Sequence, residues 1–209
     1  RPKEWFEKFR WCFTRSGLLV IGGRDAHSNE VLVKRHLQEK DWYFHADIHG
    51  APHCVLKVEK QVPVLADFED AAAFAGIFSS VWKKGLFGVR VYKVAPSQVS
   101  KKAPSGESLG RGAFVIEGER EWFEPLLRTG LGLQSMKSGF GIIMVGPLSC
   151  VQAHGQYVME IVPGPKSKNE IAQAYQRGLH KLSPPIQVSL DELVSVLPPG
   201  EFSLKPVSQ

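Results

Sequence analysis

The chain has 209 residues, 43% of them hydrophobic and 22% charged, with 26 Lys and Arg against 21 Asp and Glu. That composition supports a proper core and excludes a disordered tail. The net charge of +5 is compatible with a polyanionic partner but is too small to demonstrate one. Cys12, Cys54 and Cys150 lack any CxxC spacing, which excludes a disulfide scaffold and a cysteine zinc cage and suits a reducing compartment. No apolar run approaches the roughly 18 residues of a membrane span. The opening Arg1-Pro2-Lys3-Glu4-Trp5 has no signal-peptide pattern, so a cytoplasmic chain is expected, and the missing initiator Met suggests part of a longer protein.

In chain order, Glu4 to Arg10 predicts a short helix, and Leu18 to Ile21 a buried strand ended by Gly22-Gly23. Asp25 is the expected N-cap of a helix through Leu37. Strands are expected at Trp42–Ala46 and Cys54–Val58, then a helix opening at Asp67 and running to Lys84 with Gly85 as its stop. Gly88 to Val94 predicts another strand. Ala95 to Gly112, rich in Pro, Ser, Gly and Lys, predicts a long connection, and loops of that length are often functional. After a strand at Ala113–Ile116, strands are expected near Gly141–Val145 and Tyr157–Val162 with a helix near Leu148–His154 between them. Lys168 to His180 predicts a helix with Ile171, Ala172, Tyr175 and Leu179 on one face, and a last short helix falls around Leu190–Leu197. The second half thus reads as a small βαβα-like appendage.

Three segments carry chemistry. Gly22 to Glu30 places Arg24, Asp25 and Asn29 where a strand gives way to a helix N-terminus, a setting for anions. Two turn glycines, a capping Asp and a solvated Arg give the same pattern without a ligand. Lys34, Arg35 and His36 add a basic face. His45, Asp47 and His49 alternate, so a continuous strand would gather two imidazoles and a carboxylate on one side, a metal-ligand set. Gly50-Ala51-Pro52 would bend that strand, and the same histidines suit RNA contacts or structural hydrogen bonds equally. The third segment, Val99 to Gly112, holds Ser100, Lys101, Lys102, Glu107 and Arg111 among hinge residues, which suits draping over phosphates or simple exposure. No GxSxG elbow supports a serine hydrolase.

Four blocks in order carry a resemblance: Trp5-Phe6-Glu7-Lys8-Phe9-Arg10-Trp11, Leu19-Val20-Ile21-Gly22-Gly23-Arg24-Asp25-Ala26-x-x-Asn29-Glu30, Phe44-His45-Ala46-Asp47-x-His49-Gly50-Ala51, and Gln98-Val99-Ser100-Lys101-x-Ala103-Pro104-x-Gly106-Glu107-x-Leu109. Together, across residues 4–118, they resemble the NFACT-R domain of the NEMF/Caliban/fibronectin-binding-protein-A-like ribosome quality-control family, archaeal type. The resemblance implies an RNA-binding module for tRNA or ribosomal RNA on the large ribosomal subunit, fused to or associated with NFACT-N and coiled-coil regions. No cofactor and no catalytic residue is expected. The residues expected to contact RNA are Arg24, Asp25, Asn29, Lys34, His45, Asp47, His49, Ser100, Lys101 and Glu107.

The expected architecture is α+β: a mixed sheet with flanking helices over residues 1–118, then a smaller α/β extension over 119–209. Two other classes stay open. One is a metal-dependent hydrolase or nuclease using His45, Asp47 and His49, and the other is a protein-interaction module.

Overall fold

The computed structural model describes residues 1–86, 88–135 and 141–207. A 3-10 turn at Trp5–Lys8 replaces the first expected helix and leads into strand β1 (Arg10–Phe13), which hairpins into β2 (Leu19–Gly22). Helix α1 (Ala26–Val31) widens into a π-type turn, Leu32–His36, before β3 (Trp42–Ala46) and β4 (Cys54–Leu56). Helix α2 (Leu65–Ile77) precedes β5 (Val91–Val94), and then come β6 (Val99–Ser100), β7 (Val115–Ile116) and β8 (Glu121–Phe123). The second half runs β9 (Thr129–Ser135), β10 (Gly141–Pro147), α3 (Leu148–His154), β11 (Gly155–Lys166), α4 (Lys168–His180), α5 (Leu190–Val196) and β12 (Phe202–Pro206).

The fold is α+β. Its larger sheet has the order β1-β2-β4-β3-β5-β8, its smaller sheet β10-β9-β11-β12, and β6 pairs with β7 in a short ribbon. Every strand pair among the described residues is antiparallel, so the expected mixed sense of the larger sheet is corrected. The physical reason is local: links such as β1–β2 and β3–β4 are too short for the crossover that parallel pairing demands. In the second half β10–α3–β11 keeps a βαβ sense, because both strands run antiparallel to β9 between them. The larger sheet takes its last strand, β8, from beyond residue 118.

Helix α2 is apolar almost all round, with Ala71, Ala72, Ala73, Phe74, Ala75 and Ile77 buried. Such a helix belongs in an interior, and α2 touches β2, β3, β4 and β5 of the larger sheet and β10 of the smaller. Its two buried carboxylates tie it in place. Asp67 accepts from the Thr14 hydroxyl at 2.7 Å and the Val64 amide at 2.9 Å, and Asp70 accepts from the Arg15 amide at 2.9 Å. The helix stops at Ile77, short of the expected Lys84. The Ser79 hydroxyl donates to the Gly76 carbonyl at 2.6 Å, competing with the helical ladder, and looser turns carry the chain on to Gly85.

Helix α4 matches its expected bounds, with Ile171, Ala172, Tyr175 and Leu179 buried and Ser167 capping through the Glu170 amide at 3.2 Å. Strand β9 was not expected, since glycine weakens strands. Here Gly130 and Gly132 share the face on which α3 rests, where a Cβ would stand 2.9 Å and 2.7 Å from Val151. Among the described residues no helix is long and apolar enough to cross a membrane.

Candidate nucleic-acid interface

Glu30, on α1, is the hub of the site. Its carboxylate pairs with Lys101 at 2.7 Å and Lys34 at 3.0 Å, and accepts from the Gly112 amide at 2.6 Å. Partial burial raises the carboxyl pKa, but these three donors outweigh it and hold the group down at about 2. Lys101 also donates to the Gly110 carbonyl at 2.9 Å and lies over the Phe114 ring. One carboxylate therefore clamps both ends of the loop between β6 and β7 onto α1. Gly112 is where the backbone comes closest: at φ +78, its Cβ would stand 2.8 Å from the Ala26 carbonyl oxygen, which no side chain tolerates.

Buried His53 holds the loop from the other side. Its Nε2 stands 2.7 Å from the Gly112 carbonyl oxygen, which can only accept, so Nε2 carries the proton. Nδ1 is then the acceptor for the buried Tyr43 hydroxyl. Burial, with His45 as a neighbour, pushes His53 down to about 4, and burial likewise lowers His45. The His53 amide donates to Asn29 Oδ1 at 3.1 Å and its carbonyl accepts from the Gly23 amide at 3.0 Å. The strand-to-helix turn, the segment ending at His53 and the Ser100–Gly112 loop thus meet on one surface. There Glu30, Lys34, Lys101, Ser108, Leu109 and Arg111 line an open depression of about 530 Å³.

The ten residues singled out in the sequence do not all arrive there. Lys34 and Lys101 line the depression, Asn29 braces it from beneath, and the Ser100 hydroxyl accepts from the Lys102 amide at 2.9 Å inside the loop. Glu107 is exposed on the loop. Asp25 caps α1, its carboxylate accepting from the Ser28 amide at 2.7 Å and so filling the place an anion would take. Arg24 turns away: its guanidinium donates to the Ser195 carbonyl at 2.8 Å, satisfying the C-terminal end of α5. His45 stacks parallel to Tyr43, while Asp47 and His49 lie exposed on the turn that follows.

The metal reading of His45, Asp47 and His49 is corrected. Strand β3 ends at Ala46, so the alternation that would gather the three stops before Asp47. No group of three His, Cys, Asp or Glu among the described residues is placed to hold a metal ion. The hub residues Glu30, His53 and Gly112, together with Tyr43, were missed. Each looks ordinary in its own segment.

Removing the hub should free the loop. Glu30→Ala leaves the Gly112 amide and two ammonium groups without their carboxylate, and should cost about 1–3 kcal/mol. Limited trypsin digestion at Lys101, Lys102 and Arg111 should then run several times faster than in the parent chain. Unchanged cleavage would show that Glu30 does not hold the loop.

Comparison with known proteins identifies the family of the chain. The family described as NFACT protein RNA binding domain matches residues 8–118. The chain is 34% identical over 201 residues to the archaeal Rqc2 homolog aRqcH of Methanocaldococcus jannaschii, covering 96% of this chain and 29% of that protein. It is 36% identical over 155 residues to the human ribosome quality control complex subunit NEMF, covering 74% of this chain and 14% of that one. A solved structure, the C-terminal part of the fibronectin/fibrinogen-binding protein from Streptococcus suis, aligns with a TM-score of 0.48 at 20% identity, over 60% of this chain and 48% of the other. The chain thus spans less than a third of the length of the curated relatives it matches. With residues 8–118 matching one family across the very segments that fold around Glu30, the chain belongs to the NFACT RNA-binding domain family.

Proposed function

We propose that this chain binds RNA across the depression formed by Lys34, Lys101 and Arg111. The observation that carries the reading is the local charge balance: three cations, Lys34 beside α1 and Lys101 and Arg111 on a loop fixed at both ends, line the depression with one carboxylate, Glu30. A surplus of positive charge on a preformed frame suits a phosphodiester backbone, which gains most when its contacts are already ordered. Lys34, Lys101 and Arg111 meet phosphates, while exposed Asp47 and His49 meet sugars or bases. Asn29, Asp25 and Ser100 shape the frame. Residues 1–118 supply this surface, and residues 119–209 form an extension that buttresses it.

Membership of this family and the names of the relatives support a role in ribosome quality control. The RNA is then tRNA or ribosomal RNA on the large ribosomal subunit, in the cytoplasm. Filter binding of a structured RNA across a salt series tests the reading. Neutralising two or three phosphates predicts a slope of log K against log salt of about −2 to −3, and Lys101→Ala should make it shallower by about 1. No binding at low salt, or affinity indifferent to salt, would refute it.

A further inference from the structure

On the face of the larger sheet opposite α2, four aromatic side chains form a row, one from the residue just before β4 and three from β3, β5 and β8. His53 leads to His45, which pairs in register with Tyr92, which pairs with Trp122 on the edge strand β8. Successive ring centroids are 5.0, 5.8 and 5.4 Å apart. Two guanidinium groups lie on this row: Arg120 is 4.8 Å from the Tyr92 centroid and Arg90 is 4.0 Å from that of Trp122. The row is buried at His53 and Tyr92, 9% and 8% exposed, and opens at Trp122, which is 39% exposed. Arg90 and Arg120 are themselves exposed.

Core packing accounts for the buried end of this row and not for the open one. At the edge of the sheet an indole carries an exposed arginine, Arg90, on its ring, and a second exposed arginine, Arg120, lies on the neighbouring Tyr92. We infer that Trp122, Arg90 and Arg120 form a stacking platform for an unpaired nucleobase. The inference rests on the RNA reading above and names the form of RNA this second surface takes. A base stacks on the free face of the indole or of a guanidinium plane. The arginine edges remain available to the flanking phosphates. An apolar protein segment would leave both charges without partners, and an acidic peptide would leave the indole idle. The row also joins the two surfaces, because His53 at its buried end donates to Gly112 of the basic loop. A strand whose backbone follows the depression and whose base reaches Trp122 would use both.

The test uses the 209-residue chain with two probes, a short single-stranded oligoadenylate carrying one 2-aminopurine and a blunt RNA duplex of equal length. Trp122→Ala should weaken single-strand binding about tenfold, Trp122→Phe should retain affinity within about threefold, and Arg90→Ala should fall between them. Duplex binding should be unchanged in all three, and the 2-aminopurine quenching seen with the parent chain should vanish in Trp122→Ala. Thermal melts establish that each variant is folded, and Arg90→Ala, altered only at an exposed side chain, carries the test if Trp122→Ala is not. Single-strand affinity and quenching unaltered in Trp122→Ala or in Arg90→Ala would overturn the platform while leaving salt-dependent duplex binding, and the RNA reading, intact. Failure of the parent chain to bind either probe would overturn the RNA reading itself, and the platform with it.

Discussion

Replacing Asp41 with alanine will lower the unfolding free energy by about 3–5 kcal/mol, the range for a buried charge stripped of its partner. Asp41 is 2% exposed and Lys57 is 6% exposed, and the two meet at 2.5 Å. The same carboxylate accepts from the Val58 amide at 2.8 Å and the Gln38 amide at 2.9 Å. Its loss therefore leaves an ammonium group facing only neutral acceptors, the His36 carbonyl and Gln38 Oε1, and two amides facing nothing. Urea denaturation measures the effect. The double variant Asp41→Ala/Lys57→Met should be less destabilised than the sum of its singles, because the second change removes the orphaned charge. A single-variant loss below about 1 kcal/mol would show that water reaches this pair.

Acidification should bring a second large effect, centred on His53. The unfolded imidazole takes up a proton near pH 6.5, whereas burial keeps the folded one neutral down to about pH 4. Between those values the unfolded state binds the extra proton, so stability falls as pH falls through that window. The gap amounts to about 3 kcal/mol once pH 4 is passed. His45 and His36, also lowered by burial, act in the same direction, while the depressed carboxyls of Glu30 and Asp67 contribute only at lower pH. Denaturation midpoints measured between pH 7 and pH 4 should drop steeply in the parent chain. His53→Phe should start lower, having lost its bonds to Gly112 and Tyr43, and change less with pH. An equally steep profile in that variant would assign the titration elsewhere.

What could be read from the sequence was whatever neighbouring residues encode together. Helix α4 carries its apolar face and its Ser167 cap within a few residues, and Asp25 announces α1 in the same way. Strand β9 was invisible because Gly130 and Gly132 are chosen for what lies above them rather than for the strand they occupy. The candidate site shows the same division. Basic residues and the loop that bears them are visible by composition. The bond between Glu30 and the Gly112 amide joins positions 82 apart, and that of His53 to Gly112 joins positions 59 apart, so the carboxylate and imidazole that organise those cations cannot be seen locally. Arg24 misled for a related reason: its guanidinium answers the end of α5, 171 residues away.

The all-round apolar helix α2 has a consequence for how the chain is made. Synthesis delivers β1 to β5 and α2 first, yet one side of that helix is covered only when β10 exists. Until then the side of that helix turned away from the larger sheet has nothing to close over it. Domains usually condense in the order in which they leave the exit tunnel. Here the earlier segment has to wait, so β10 decides when α2 loses its last open side.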